Sequence, residues 1–108
     1  MSERTAFQPT GLSTVAIAAT TNSASVALNG GNVANDSVRI ANGASDCRIE
    51  FGRSGSVQAL KPNGAAPGSL LIKAGFVEVM TLPPGTTHVA AVCDTGTSTI
   101  EFTRGIGQ

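Results

Sequence analysis

Apolar and polar residues alternate one by one in several runs of this chain, the period of a strand with one face in a core and one in water. The cleanest run is Asp46-Cys47-Arg48-Ile49-Glu50-Phe51, which points Cys47, Ile49 and Phe51 inward and Asp46, Arg48 and Glu50 outward. Ser37-Val38-Arg39-Ile40-Ala41 does the same with Val38 and Ile40, and Asn42-Gly43 follows it as a turn signal, so the two runs are expected to form a hairpin. In Ser98-Thr99-Ile100-Glu101-Phe102-Thr103, Ile100 and Phe102 face the core.

Other segments fill in the pattern. Thr14-Val15-Ala16-Ile17-Ala18-Ala19-Thr20 reads as a strand; an Ala-rich helix is the rival, but Thr20-Thr21-Asn22-Ser23 would end it early. Ser25-Val26-Ala27-Leu28 runs into Asn29-Gly30-Gly31-Asn32, a tight reversal. Gly52-Arg53-Ser54-Gly55 turns into Ser56-Val57-Gln58-Ala59-Leu60, and Leu70-Leu71-Ile72 is a short apolar run. Phe76-Val77-Glu78-Val79-Met80-Thr81-Leu82 is apolar on both faces, which predicts a strand central between two layers or covered by another subunit. Thr87-His88-Val89-Ala90-Ala91-Val92-Cys93 runs on from the rigid corner Pro83-Pro84-Gly85, and Asp94-Thr95-Gly96 turns it into the last strand.

About eight short strands at spacings of about eight to twelve residues predict one all-β domain, an antiparallel β-sandwich of jelly-roll-like build. Residues 1–12 are polar, carry Pro9 and Gly11 and show no periodicity, so they read as an extended N-terminal arm before a domain over 13–108. Residues 61–68, with two prolines and two glycines, read as a loop.

Composition agrees: 13 Gly and 5 Pro punctuate a chain with few strong helix formers. A length of 108 residues suits a single core burying roughly two-thirds of the unfolded surface. Seven Lys+Arg balance seven Asp+Glu and the basic residues are scattered, which argues against nucleic acid or an anionic membrane as partner. Near-zero charge also leaves copies free to associate. The chain starts without an apolar h-region and has no stretch near the roughly 18 apolar residues of a membrane span, so neither a signal peptide nor a span is expected.

The residues that could carry chemistry are sparse. His88 is the single histidine and lies in an apolar strand, where it reads as structural, at a sheet surface or a subunit contact. Cys47 and Cys93 are read either as buried thiols acting as small hydrophobes or as a bridge between facing strands. Asp36 with Asn35 and Asn32 fits no calcium-ligand spacing, and Cys/His pairs for zinc are missing. With no Trp or Tyr, platforms for sugars or bases are lacking, and the four phenylalanines are assigned mostly to the core. The expectation is a non-enzymatic chain with no cofactor and no metal.

The stretch 76–92, with its Pro83-Pro84-Gly85-Thr86-Thr87-His88-Val89-Ala90 corner, followed by Gly96-Thr97-Ser98-Thr99-Ile100-Glu101-Phe102-Thr103-Arg104-Gly105, resembles small structural proteins encoded among the virion genes of tailed bacteriophages. Val38-Arg39-Ile40-Ala41-Asn42-Gly43 and Ile49-Glu50-Phe51-Gly52 extend the likeness to residues 25–107. The resemblance implies a virion protein assembled in the host cytoplasm. The group includes capsid decoration, or cement, proteins that sit on the capsid exterior as trimers and bind at junctions of the major capsid protein. It also includes head–tail connector, fibre and tail-associated modules that bind a partner protein or a host-surface glycan. A homo-oligomer, with a trimer favoured, is expected. The contacts are expected from the arm, at Phe7 and Pro9, and from the 61–68 loop, at Lys61, Pro62, Asn63 and Pro67.

Overall fold

The computed structural model describes residues 8–28 and 36–106. They contain eight strands: β1 (Gln8–Ala19), β2 (Ala24–Ala27), β3 (Asp36–Asn42), β4 (Cys47–Gly52), β5 (Leu70–Ile72), β6 (Val77–Thr81), β7 (His88–Cys93) and β8 (Ser98–Ile106). They form two four-stranded antiparallel sheets, ordered β1-β8-β3-β6 and β2-β7-β4-β5. The pairs β1/β8, β2/β7, β3/β6 and β4/β5 are the rungs of one long antiparallel ribbon rolled upon itself, which makes the β-sandwich a jelly roll.

Alternation builds the core. Val38, Ile40, Ile100, Phe102 and Ile17 come from the first sheet and meet Cys47, Ile49, Val89, Ala91 and Cys93 from the second. Phe102 is the largest fully buried side chain, and burying a residue of this kind contributes about 1.5–3 kcal/mol.

Several expectations are corrected. Val38/Ile40 and Cys47/Ile49 do face one core, but from opposite sides: β3 and β4 belong to different sheets and form no hairpin. Single-residue alternation is identical in the two arrangements. Asn42-Gly43 accordingly makes no hairpin turn; Gly43 is absent from the positive-φ glycines, and a Cβ there would lie 2.8 Å from the Thr99 carbonyl oxygen. Glycine is needed at this point for close approach.

Residues 56–60 are not a strand. They lie over the outer face of the second sheet, where Val57 and Ala59 pack on Ala90 and Val92. The Ala59 and Leu60 N–H groups donate to the hydroxyls of Ser23 and Ser69 rather than to a neighbouring strand. This cover explains why β7 is buried on both faces.

At the N-terminal end, β1 begins at Gln8, so residues 8–12 belong to a strand and not to an arm. Gln8 pairs with Ile106 and Pro9 with Gly105, and the register then shifts before Thr14. Pro9 is tolerated because β1 is an edge strand. Residues 1–7 lie outside the described part, as do the 29–32 reversal, Asn32 and Asn35.

Strand β6 is an edge strand, not a central one. Phe76 just before it is 55% exposed and Val77 50%, so Phe76 leaves the core list, whereas Phe102 is buried and Phe51 half-buried.

Two polar groups tie strands together, one across the two layers and one within the first sheet. The Asn42 amide nitrogen donates to the carbonyls of Ser45 (2.8 Å), Ile72 (2.9 Å) and Lys73 (3.2 Å). Its oxygen accepts from the Gly43 N–H and the Ser98 hydroxyl, each at 2.8 Å. Asn42 thus joins β3 and β8 of one sheet to β5 of the other. At the opposite end of β3, the buried Arg104 guanidinium forms a two-pronged ion pair with Asp36, one contact being Nε to Oδ1 at 2.9 Å. The Asp36 hydrogen bond, reinforced by its charge and opposed by burial, raises the Arg104 pKa further.

Candidate interaction surface

Every sandwich has four sheet edges, and an open edge is a row of backbone N–H and C=O groups ready to pair with another chain. Three of the four are blunted here. Strand β2 has 4 residues and β5 has 3, both short, while β1 carries Pro9 and the register shift. The fourth, β6, has 5 residues, reads Val-Glu-Val-Met-Thr and contains neither proline nor lysine.

The direction of its free groups follows from the register. Leu82 N–H donates to the Asp36 carbonyl and Asn42 N–H to the Phe76 carbonyl, so the residues that bond to β3 are the alternate ones, including Glu78 and Met80. The main-chain groups of Val77 and Val79 therefore point away from β3, along the open edge. Val79 lies opposite Arg39 and Val77 opposite Ala41 on the outer sheet face. The short connection 73–76 sets β5 on the same flank, where Leu70 is also half-exposed. Asp46 holds that connection: its carboxylate accepts from the Ala74 N–H (2.9 Å) and from Lys73 Nζ (3.1 Å). The Ala74 bond first, then Lys73, keeps the Asp46 carboxyl below its ordinary range.

The expected contact residues fall in two places. Lys61, Pro62, Asn63 and Pro67 lie together on an exposed tongue over residues 60–68. Its base is tied by Ser69 N–H to the Leu60 carbonyl (2.7 Å), and its tip by reciprocal Asn63–Ala66 backbone bonds. Lys61 Nζ reaches the Asp94 carbonyl at 3.1 Å. A Cβ on Gly68 would stand 2.3 Å from the Pro62 nitrogen, so the closed base requires glycine. Pro9 is exposed at the far edge of the first sheet, whereas the tongue springs from the cover over the second. Phe7 lies outside the described residues. Sequence reading named the tongue but not Phe76 and Val77, although the apolar excess of 76–82 was the signal for them.

His88 is half-buried, with Nδ1 2.7 Å from the Thr87 hydroxyl. A shallow cleft of about 290 Å³ between residues 18–20 and 97–99 is lined by Ala, Thr and Ser and offers no ionisable group. Among the described residues no three His, Cys, Asp or Glu side chains gather as a metal site. Comparison of the chain with protein-family models, curated proteins and solved structures gives no match.

Proposed function

We propose that this chain is a structural virion protein that decorates and stabilises a bacteriophage capsid by binding on its exterior at junctions between capsid subunits. The observation that supports this reading is the unblunted edge β6 among the described residues, with half-exposed Phe76 and Val77 at its start. It is what a chain built to be covered by another protein would keep open. The jelly roll is a fold-level analogy in the same direction, since capsid proteins use it; lectins do too, so the fold alone does not choose. The exposed tongue and the absence of net charge fit association of many copies on a shell.

Clamping of this kind needs only contact area, repeated over many junctions, with mass action stabilising the shell. A trimer requires heterologous contacts, in which β6 meets a different surface of its neighbour; β6 pairing with itself would give a two-fold dimer. The test is light scattering on the purified protein, followed by pelleting with capsid shells, for the wild type, a chain lacking residues 1–7, and Val79→Pro. Val79→Pro removes an outward N–H and leaves the β3 ladder intact. A trimer that co-sediments, weakened by Val79→Pro, is the expected result. A monomer that ignores shells overturns the reading and turns attention to a connector, fibre or glycan-binding role.

A further inference from the structure

We infer that Cys47 and Cys93 are a site of disulfide formation that staples the two central strands of the second sheet. They are directly opposite in the β4/β7 register, and their sulfurs are 3.6 Å apart. The Cys93 N–H donates to the Thr20 carbonyl on the far side of β7, so Cys47 and Cys93 form a non-hydrogen-bonded pair. In such pairs the Cα atoms approach to about 4.5 Å, inside the span a disulfide bridges. Both side chains point into the core, and rotation about their Cα–Cβ bonds closes the remaining gap.

Other readings of two facing thiols fit less well. A tetrahedral metal site needs further ligands, and the described residues provide no cluster of them. As plain core residues, two thiols could be replaced by any small apolar pair; nothing in packing requires sulfur on both strands at the same rung. At present each sulfur has a weak acceptor of its own, the Ser45 carbonyl for Cys47 and the Ala19 carbonyl for Cys93.

The oxidant is a low-molecular-weight disulfide such as oxidised glutathione. A thiolate of one cysteine attacks a reagent sulfur, breaks the reagent's S–S bond and forms a mixed disulfide. The second cysteine then displaces the remaining reagent thiol. One protein S–S bond forms, two electrons pass to the reagent, and the two protein thiol protons end on the two released thiols. Both cysteines are fully buried, and burial, with the Cys93 thiol, pushes the Cys47 thiol up to about 12. The closed sandwich therefore shields its own thiols, and exchange takes place while the second sheet is still open, during folding or a large opening.

The experiment is refolding from guanidinium in glutathione buffers of stepped redox ratio, acid quench, alkylation of free thiols and intact mass. The expected product is a monomer lighter by two hydrogens, without alkyl or glutathione adduct, and peptide mapping joins Cys47 to Cys93. Its formation constant in the native state exceeds that in denaturant by at least about tenfold, equivalent to about 30 mV. The thermal midpoint of the bridged protein rises and returns on reduction, while Cys47→Ser and Cys93→Ser show neither change. Equal constants in the two states, or only mixed and intermolecular disulfides, overturn the inference.

Discussion

Replacing Asn42 with Ala removes a single side chain that holds three strands, and the cost can be worked from its partners. Five hydrogen bonds disappear. Those to the Ile72 carbonyl and the Ser98 hydroxyl are buried, whereas the other three lie nearer the surface, where water can replace the amide. Orphaning a buried polar group costs about 1–3 kcal/mol, so two of them cost about 3 kcal/mol together. With about 2.1 cal/mol/K of unfolding entropy per residue, that loss lowers the thermal midpoint by about 13 °C. Calorimetry and urea denaturation would read it. Asn42→Asp sharpens the test, because a carboxylate has no N–H to donate and would face the Ile72 and Lys73 carbonyls. It should be worse than Ala at neutral pH and regain stability as acid protonates it, since burial raises its folded-state pKa. An Asn42→Ala loss below about 1 kcal/mol would show that the amide is not the joint between the sheets.

Four further outcomes are expected. Arg104→Met strands the Asp36 carboxylate and should cost about 3–5 kcal/mol by chemical denaturation, with part of the loss recovered when Asp36→Leu is added. Gly43→Ala forces a Cβ against the Thr99 oxygen and should lower stability by about 1–3 kcal/mol, with the Thr99 and Gly43 amide resonances reporting the strain. Asp46 has a depressed folded-state pKa, so its stabilisation is present above the ordinary carboxylate range and is lost as pH falls through the folded value. Asp46→Asn should therefore flatten the acid limb of a stability–pH curve, and an unchanged limb would dismiss this role. Val77→Lys should leave the unfolding free energy within about 0.5 kcal/mol of wild type and yet reduce self-association or shell binding in sedimentation.

The sequence carried the strands far better than their assignment to sheets. The alternation in 46–51 and 98–103 marked the inward residues correctly, because burial on one face is a local, period-two signal. Which sheet each strand joins depends on which edges are already occupied, and no neighbouring residue encodes that; β3 and β4 were therefore paired wrongly. Residues 56–60 have strand-like composition but serve as a lid over Ala90 and Val92, a role that only tertiary packing confers. Asn42 read as a turn residue, since Asn-Gly is a strong local signal, while three of its five partners, Ile72, Lys73 and Ser98, are distant in sequence. The Asp36–Arg104 pair spans 68 residues and leaves no local mark. For the candidate surface, proline and glycine in 61–68 made the tongue legible. The apolar excess of 76–82 left open a central strand or one covered by another subunit, and did not place β6 at an edge.

Strands β1 and β8 are partners, although nearly the whole described chain separates Gln8 from Ile106. During synthesis β1 leaves the ribosome first, and β8, which lies between β1 and β3, leaves last. At about 5–20 residues per second the first sheet stays without its middle strand for several seconds. Sequence-distant pairing of this kind also places folding among the slow topologies, in the millisecond-to-second range. For that interval β1 and β3 expose the edges that β8 will occupy, and the nascent copies on one messenger are most able to exchange strands. A truncation that removes β8 would therefore leave not a smaller sandwich but β1 without its partner strand and β3 paired on one side only, by β6.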